Sequence, residues 1–113
     1  YGIAPEDYRE LDFPDLIARV RAAVPAEHVA FLSGFERSIR LGDYLFVHAG
    51  IRPGVPLEAQ NDDDLCWIRE DFLRHRDSFG PLVIHGHTVR EAVEMRPNRI
   101  GIDTGAYASG RLT

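Results

Sequence analysis

The sequence is poor in the features that mark several large classes of protein. It has one cysteine, Cys66, so no internal disulfide can form, and this favours a reducing, cytoplasmic compartment. Its longest apolar run, residues 81–84, is far shorter than the roughly 20 residues needed to span a bilayer. No internal repeat or low-complexity segment is present either. The sequence therefore predicts a chain that does not insert into a membrane.

Positive charge is also scarce. Among 113 residues, 18 are acidic and 13 basic, which gives a formal net charge of −5, and the arginines are interspersed with Asp and Glu. Nucleic-acid binding depends on a broad basic surface that neutralises phosphates. The sequence thus predicts no nucleic-acid partner. Its 44% hydrophobic and 27% charged composition is that of an ordinary globular domain.

Helical periodicity dominates the first third of the chain. Apolar residues recur at helical spacing behind Pro14, which predicts a helix over 13–24. Pro25 begins a second, shorter helical pattern, with Gly34 as its C-terminal cap. We therefore expect residues 1–35 to form a helical cap or connector and residues 36–113 to form a separate sheet portion.

Strand signals begin at residue 38. Residues 38–41 and 44–47 flank Gly42-Asp43, which has the length and chemistry of a tight hairpin loop. The polar cluster 61–64 predicts a solvated helix start followed by one apolar helix face, whose aromatic members should be core residues. These predicted core residues are Trp67 and Phe72, together with Phe31 from the helical segment.

Further strands are predicted in the last third. The apolar run 82–84 indicates a buried strand, and a hairpin should pair 92–95 with 99–102. Residues 110–113 resemble the beginning of another strand, and both ends of the chain resemble cuts. The overall prediction is an α+β fold with a mixed sheet preceded by helices.

Two strands end in histidine beside glycine. These are the segments that deliver His48 and the pair His85 and His87. A strand end fixes the direction of an imidazole, and a small neighbour lets a ligand approach. Neutral imidazole is a common ligand of Zn, Mn and Fe, but a histidine here can equally be a hydrogen-bonded part of the sheet. The residues alone leave both interpretations open.

A family resemblance favours the metal-site interpretation. Four strings carry it: Phe46 to Pro53 (FVHAGIRP), Asp64 to Glu70 (DLCWIRE), His85 to Thr88 (HGHT) and Asn98 to Gly105 (NRIGIDTG). Over about residues 36–113 the chain resembles bacterial-type phosphoprotein phosphatases of the calcineurin-like metallophosphoesterases. The resemblance implies the C-terminal half of a four-layer αββα sandwich.

The resemblance also implies roles for particular residues. His48 and His87 match the two histidines that ligate one metal, whereas His85 matches no ligand and is expected either to contact a metal ligand or only to end its strand. Arg69 matches the arginine that faces the substrate phosphate; the alternative is a surface arginine paired with a carboxylate. Asp103 could orient a metal-bound histidine or simply cap a turn. The implied cofactors are two divalent ions, manganese first, with iron or zinc as alternatives.

A second arginine and the acidic cluster have simpler interpretations. Arg52 could line the site from the loop after His48, although a surface position is favoured. Asp62, Asp63 and Asp64 lack the alternating ligands and glycine of a calcium loop, so they indicate only the start of a helix.

Three earlier metal-binding motifs of the family are absent from the chain: Gly-Asp-x-His-Gly, Gly-Asp-x-x-Asp-Arg-Gly and Gly-Asn-His-Glu. The resemblance places the general acid in that missing N-terminal half, so no catalytic residue is assigned here and the chain alone is expected to be inactive. The whole site is expected to hydrolyse a phosphorylated protein or a small phosphoester through a metal-bridging hydroxide.

Three alternatives to a serine/threonine phosphatase remain open. The nearest is a symmetrical dinucleoside tetraphosphatase, which shares the histidine motifs. From another class comes a non-catalytic binding module with a degenerate site. The last is a plain structural domain whose histidines are satisfied polar groups.

Overall fold

A computed structural model describes residues 1–113 apart from the side chain of residue 7. Backbone contacts divide the chain into two compact units, a helical unit of residues 1–35 and a sheet unit of residues 36–113. The helical unit consists of α1 (Asp7–Glu10), α2 (Phe13–Ala23) and α3 (Ala26–Ser33). Its role as a cap or connector stays a prediction. Along the described residues, no helix is long and apolar enough to cross a membrane.

Both helices predicted in the helical unit are confirmed. The Asp12 side chain accepts a hydrogen bond from the Asp15 backbone N–H at 2.9 Å and so caps α2, while Pro14 occupies its first turn. Helix α3 follows Pro25 and ends at Gly34. Neither helix has a buried residue, and Phe31 is exposed, so its assignment to a core is wrong. Two short helices cannot enclose a ring of that size.

The sheet unit is built on one five-stranded mixed sheet in the order β1-β2-β3-β5-β4. Strands β2, β3 and β5 run parallel, and β1 and β4 are antiparallel edge strands. Both predicted hairpins and the buried strand are confirmed, with slightly shifted limits. The strands are β1 (Ser38–Leu41), β2 (Tyr44–Val47), β3 (Leu82–His85), β4 (Glu94–Met95) and β5 (Arg99–Gly101).

One face of the sheet is covered by the connection between β2 and β3. This connection contains a 3-10 turn (Leu57–Ala59) and two helices, α4 (Asp62–Trp67) and α5 (Glu70–Arg74). Phe72 has no exposed surface and stacks on Phe79 with ring centroids 5.2 Å apart. Burying such a ring contributes about 1.5–3 kcal/mol. The buried apolar core comprises Leu45, Val47, Ala49, Ile51, Leu65, Ile68, Phe72 and Val83.

The single helix expected after residue 61 is broken in two, because Ile68 takes an extended ψ of 143° and Arg69 a non-helical ψ of −94°. The break lets Ile68 and Phe72 both enter the core. It turns Trp67 outward, leaving it 70% exposed, so the assignment of Trp67 to the core is also wrong.

Asp64 was expected in a solvated helix start but is buried. It accepts hydrogen bonds from Nε and Nη2 of Arg52, and Arg52 Nη1 donates to Asp71 at 2.8 Å. The hydrogen bond from Arg52 is the main reason that the pKa of the Asp64 carboxyl lies below its usual value. By pairing with both Asp64 and Asp71, Arg52 links the loop after β2 to α4 and α5. This pairing also accounts for Arg52 as an ion-pair residue.

The opposite face of the sheet is apolar and uncovered. Strand register aligns one residue from every strand into a row across this face. Phe46 is 41% exposed, and the edge residues of the row are more open still. An uncovered apolar row across a whole sheet is unusual in a monomeric protein and marks a surface suited to burial. The row is Ile39, Phe46, Ile84, Ile100 and Met95.

The last residues form a helix where a new strand was expected. Gly105 adopts a left-handed conformation (φ 66°) that turns the chain into α6 (Ala106–Ser109). Residues 110–113 then run without regular structure, and the Thr104 hydroxyl donates to the carbonyl of Arg111 at 3.1 Å. The strand predicted at 110–113 is therefore absent from the part of the chain that the structure describes.

The difference between the two faces predicts a difference in stability. Phe72→Ala should lower the free energy of unfolding by about 3–5 kcal/mol because it empties a fully enclosed site. Phe46→Ala should cost about 1 kcal/mol or less, since it removes only cross-strand contacts on an open face. Urea unfolding of both variants measures these free energies. An equal decrease in the two variants would show that Phe46 is as enclosed as Phe72.

Candidate metal and phosphate site

The parallel strands bring three chain segments to one edge of the sheet. Val47 pairs with His85 and His85 with Gly101, so β2, β3 and β5 end side by side. The Gly86 N–H donates to the carbonyl of His48 at 2.8 Å, and this bond joins the residues that follow β2 to those that follow β3. Side chains that follow these strands must therefore meet at this edge.

His48 and His87 are brought together, although 38 positions separate them in the sequence. Their ring centroids lie 5.0 Å apart at an interplanar angle of 60°. A ring nitrogen binds a metal at about 2.0–2.1 Å, which puts the centroid about 3.2 Å from the ion, so two imidazoles at a tetrahedral angle have centroids about 5 Å apart. The observed spacing fits two ligands of one ion.

The backbone of His87 is strained. Its φ of 61° is the one positive value at a non-glycine position in the described backbone. The turn around it is tight, with the Thr88 N–H donating to the carbonyl of Gly86 at 2.6 Å. A left-handed residue that is not glycine costs about 1–3 kcal/mol and typically occurs at functional sites. Here it is found at the residue matched to a metal ligand.

The imidazole of His87 is held in the form that binds metals. Its Nε2 is buried and has no hydrogen-bond partner, while the ring is hydrogen-bonded to the Trp67 backbone. Burial, followed by the positive charges of Arg69 and His48, lowers the pKa of His87. The ring is therefore favoured as neutral, the form in which an imidazole binds a metal.

Trp67 forms one wall of this site, and the sequence did not indicate that. Its indole meets the His87 ring edge to face at a centroid distance of 5.7 Å while remaining mostly exposed. The feature of the sequence that could have placed Trp67 at the site is its position two residues before Arg69, where the helix breaks. Helical periodicity assigned it to the core instead.

Arg69 lies beside the two histidines. It occupies the break between α4 and α5, and its Nη1 lies 3.5 Å from the hydroxyl of Thr88, the residue after His87. The side chain is exposed and pairs with no carboxylate of residues 36–113. A free guanidinium next to a candidate metal position can bind two oxygens of a phosphate.

The two other predicted residues occupy supporting positions. Asp103 Oδ1 accepts from the Gly105 N–H at 2.9 Å, which is the turn cap considered from sequence. Its charge acts on His87, tending to raise the pKa of that ring, but only weakly. His85 is buried on the helix-covered side, where its ring meets Phe72 at 4.9 Å. Burial lowers the pKa of His85.

The residues present fit part of a metal centre. A cleft of about 470 Å³ lies over the strand ends and includes His48, His87 and Asp103, together with Arg37 and Arg111, which sequence reasoning missed. No group of three or more His, Cys, Asp or Glu side chains that could hold a metal ion occurs among the residues with described side chains. Further ligands would have to come from outside these residues.

Comparison with known proteins shows the fold. No family model matches the chain, and no curated protein matches it. A crystal structure of "a putative diadenosine tetraphosphatase" matches with a TM-score of 0.65 and 20% identity over 89% of this chain. The chain spans 53% of the length of that structure. The likeness and the mixed sheet confirm the predicted α+β class and match part of a metallophosphoesterase-like fold.

The geometry predicts that His48→Ala and His87→Ala each weaken binding of Mn²⁺ or Zn²⁺ by at least about tenfold, because each removes one of two protein ligands. Titration calorimetry measures the affinity, and the emission of Trp67 reports on its contact with His87. His75→Ala is the control, since that ring stacks near Phe79 at 4.8 Å, away from the strand ends. Equal binding by all variants would contradict the assignment.

Proposed function

We propose that this chain supplies part of a metallophosphoesterase-type active site, and that the full-length protein hydrolyses phosphoric esters. The observation that carries the proposal is the convergence of His48 and His87 at the strand ends beside the unpaired guanidinium of Arg69. Two imidazoles and a neighbouring guanidinium form a site that can attract a metal ion and a phosphate together.

Each residue has a defined task in this proposal. His48 and His87 would hold one divalent ion, which when bound would neutralise charge on the phosphoryl oxygens and activate water. Arg69 would bind the equatorial oxygens of the phosphoryl group, where negative charge develops during transfer. Trp67 packs edge to face against the imidazole of His87 and so helps to hold its orientation. Manganese is the proposed ion, with iron or zinc as alternatives.

Within this class two substrates are proposed. The sequence motifs resemble serine/threonine phosphatases, which favours a phosphorylated protein. The structural neighbour is described as "a putative diadenosine tetraphosphatase", which favours a dinucleoside polyphosphate. A non-catalytic module is the remaining alternative. The chain offers no assigned general acid, so the full-length protein is the form to test.

Hydrolysis by the full-length protein tests the proposal. With Mn²⁺ present we expect turnover of p-nitrophenyl phosphate, and the comparison of a phosphoserine peptide with diadenosine tetraphosphate decides between the two substrates. His87→Ala should lower kcat/KM at least about a hundredfold, the size of effect seen when a charge-stabilising group is lost. His75→Ala should match wild type. Undiminished activity of His87→Ala would refute a ligand role for His87.

Arg69 can be tested separately from the metal. Arg69→Gln should reduce kcat/KM for p-nitrophenyl phosphate by about 10- to 100-fold while leaving the bound metal in place, because only the phosphate contact is lost. Arg74→Gln is the matched control on α5, the helix that follows Arg69, where Arg74 pairs with Glu70 at 2.8 Å on the surface. Similar rates for the two variants would assign Arg69 to the surface.

A further inference from the structure

A second cleft lies next to the candidate site. We call it the side cleft; it has a volume of about 640 Å³ and is lined by Val89, Arg90, Glu91 and Tyr107. It shares Thr104 and Arg111 with the cleft over the strand ends. The two clefts therefore adjoin at these two residues.

The side cleft has apolar walls around a glycine. A Cβ placed on Gly105 would meet Val89 Cγ1 at 3.0 Å and lie 4.0 Å from Tyr107 Cε1. The left-handed φ of 66° at this position also disfavours any other residue. The Tyr107 ring is 89% exposed. An exposed aromatic face bordering an open cleft is a surface on which a nucleobase can stack.

The side cleft also has positive charge available to a ligand. Arg111 Nη2 donates to the Glu91 carbonyl at 2.6 Å, which orients its guanidinium without neutralising it. Five other arginines of the sheet unit pair with carboxylates: Arg37, Arg52, Arg74, Arg96 and Arg99. Neither Arg90 nor Arg111 pairs with a carboxylate of residues 36–113. The Glu91 carboxylate is the opposing charge, and its side chain is exposed to solvent.

We propose that the side cleft is a nucleotide subsite, in which Tyr107 stacks on the base and Arg111 binds the phosphate next to the one held at Arg69. This assignment rests on the proposed phosphoesterase function for the position of the scissile phosphate. It favours a nucleoside polyphosphate, because a nucleobase beyond the phosphates presents a flat π-surface that can stack on Tyr107. Arg90 adds a second positive charge along the path.

Nucleotide binding without metal tests the subsite independently of hydrolysis. The isotope-labelled chain is titrated with ADP, with ribose 5-phosphate and with pyrophosphate in the presence of EDTA, and backbone amide shifts are followed. ADP should shift Val89, Gly105 and Tyr107. Tyr107→Ala should weaken ADP binding about five- to tenfold and leave pyrophosphate unchanged, whereas Tyr107→Phe should retain both affinities because stacking needs only the ring. Arg111→Gln should weaken ADP and pyrophosphate alike.

Several results would overturn the subsite. One is an unchanged ADP affinity in Tyr107→Ala. Another is a set of amide shifts confined to the surroundings of His48. A third is loss of ADP binding in Trp67→Ala but not in Tyr107→Ala. Equal affinity for ADP and ribose 5-phosphate would exclude base recognition. Metal binding and hydrolysis do not enter these measurements, so the subsite and the proposed function can fail separately.

Discussion

The parallel pairing of β2 with β3 is the constraint on which the candidate site depends. Because Val47 pairs with His85, the two strands end level and their loops leave at the same edge. The hydrogen bond from Gly86 to the His48 carbonyl then holds the two loops at a fixed distance where they leave the strands. A slip of one residue in this register would turn every following side chain to the other face of the sheet. The spacing of His48 and His87 is thus set by backbone hydrogen bonding.

The connection between β2 and β3 contributes both to the core and to the candidate site. The connection between β2 and β3 must lie on one face, and it forms the core there with Phe72 at the centre. The same connection carries Arg69 and Trp67 to the edge where the strands end. The position of Arg69 and Trp67 at the candidate site therefore depends on the helix break that also lets Ile68 and Phe72 face inward. The packing of Ile68 and Phe72 and the position of Arg69 beside the strand ends both depend on this backbone departure.

The sequence predicted most of the sheet because its signals there are local. The Gly42-Asp43 turn between two strand-forming runs and the apolar run before His85 each depend on a few neighbouring residues. The predicted pair of histidines is likewise brought together. Trp67 was misassigned because helical periodicity assumes an unbroken helix, and the break depends on long-range packing. Asp64 was misassigned because its partner, Arg52, is 12 residues away and meets it only in the fold.

The backbone of His87 bears most directly on whether the site is functional. A left-handed histidine is costlier than a glycine at the same position, and no hydrogen bond to its buried Nε2 offsets that cost. His85 Nε2 is also buried without a hydrogen-bond partner, so a free nitrogen does not by itself mark a ligand; His87 differs from His85 in its left-handed backbone. Both costs fall on the residue that faces His48 and Arg69. A bound ion would satisfy the nitrogen, and a structural role leaves the backbone strain of His87 unexplained.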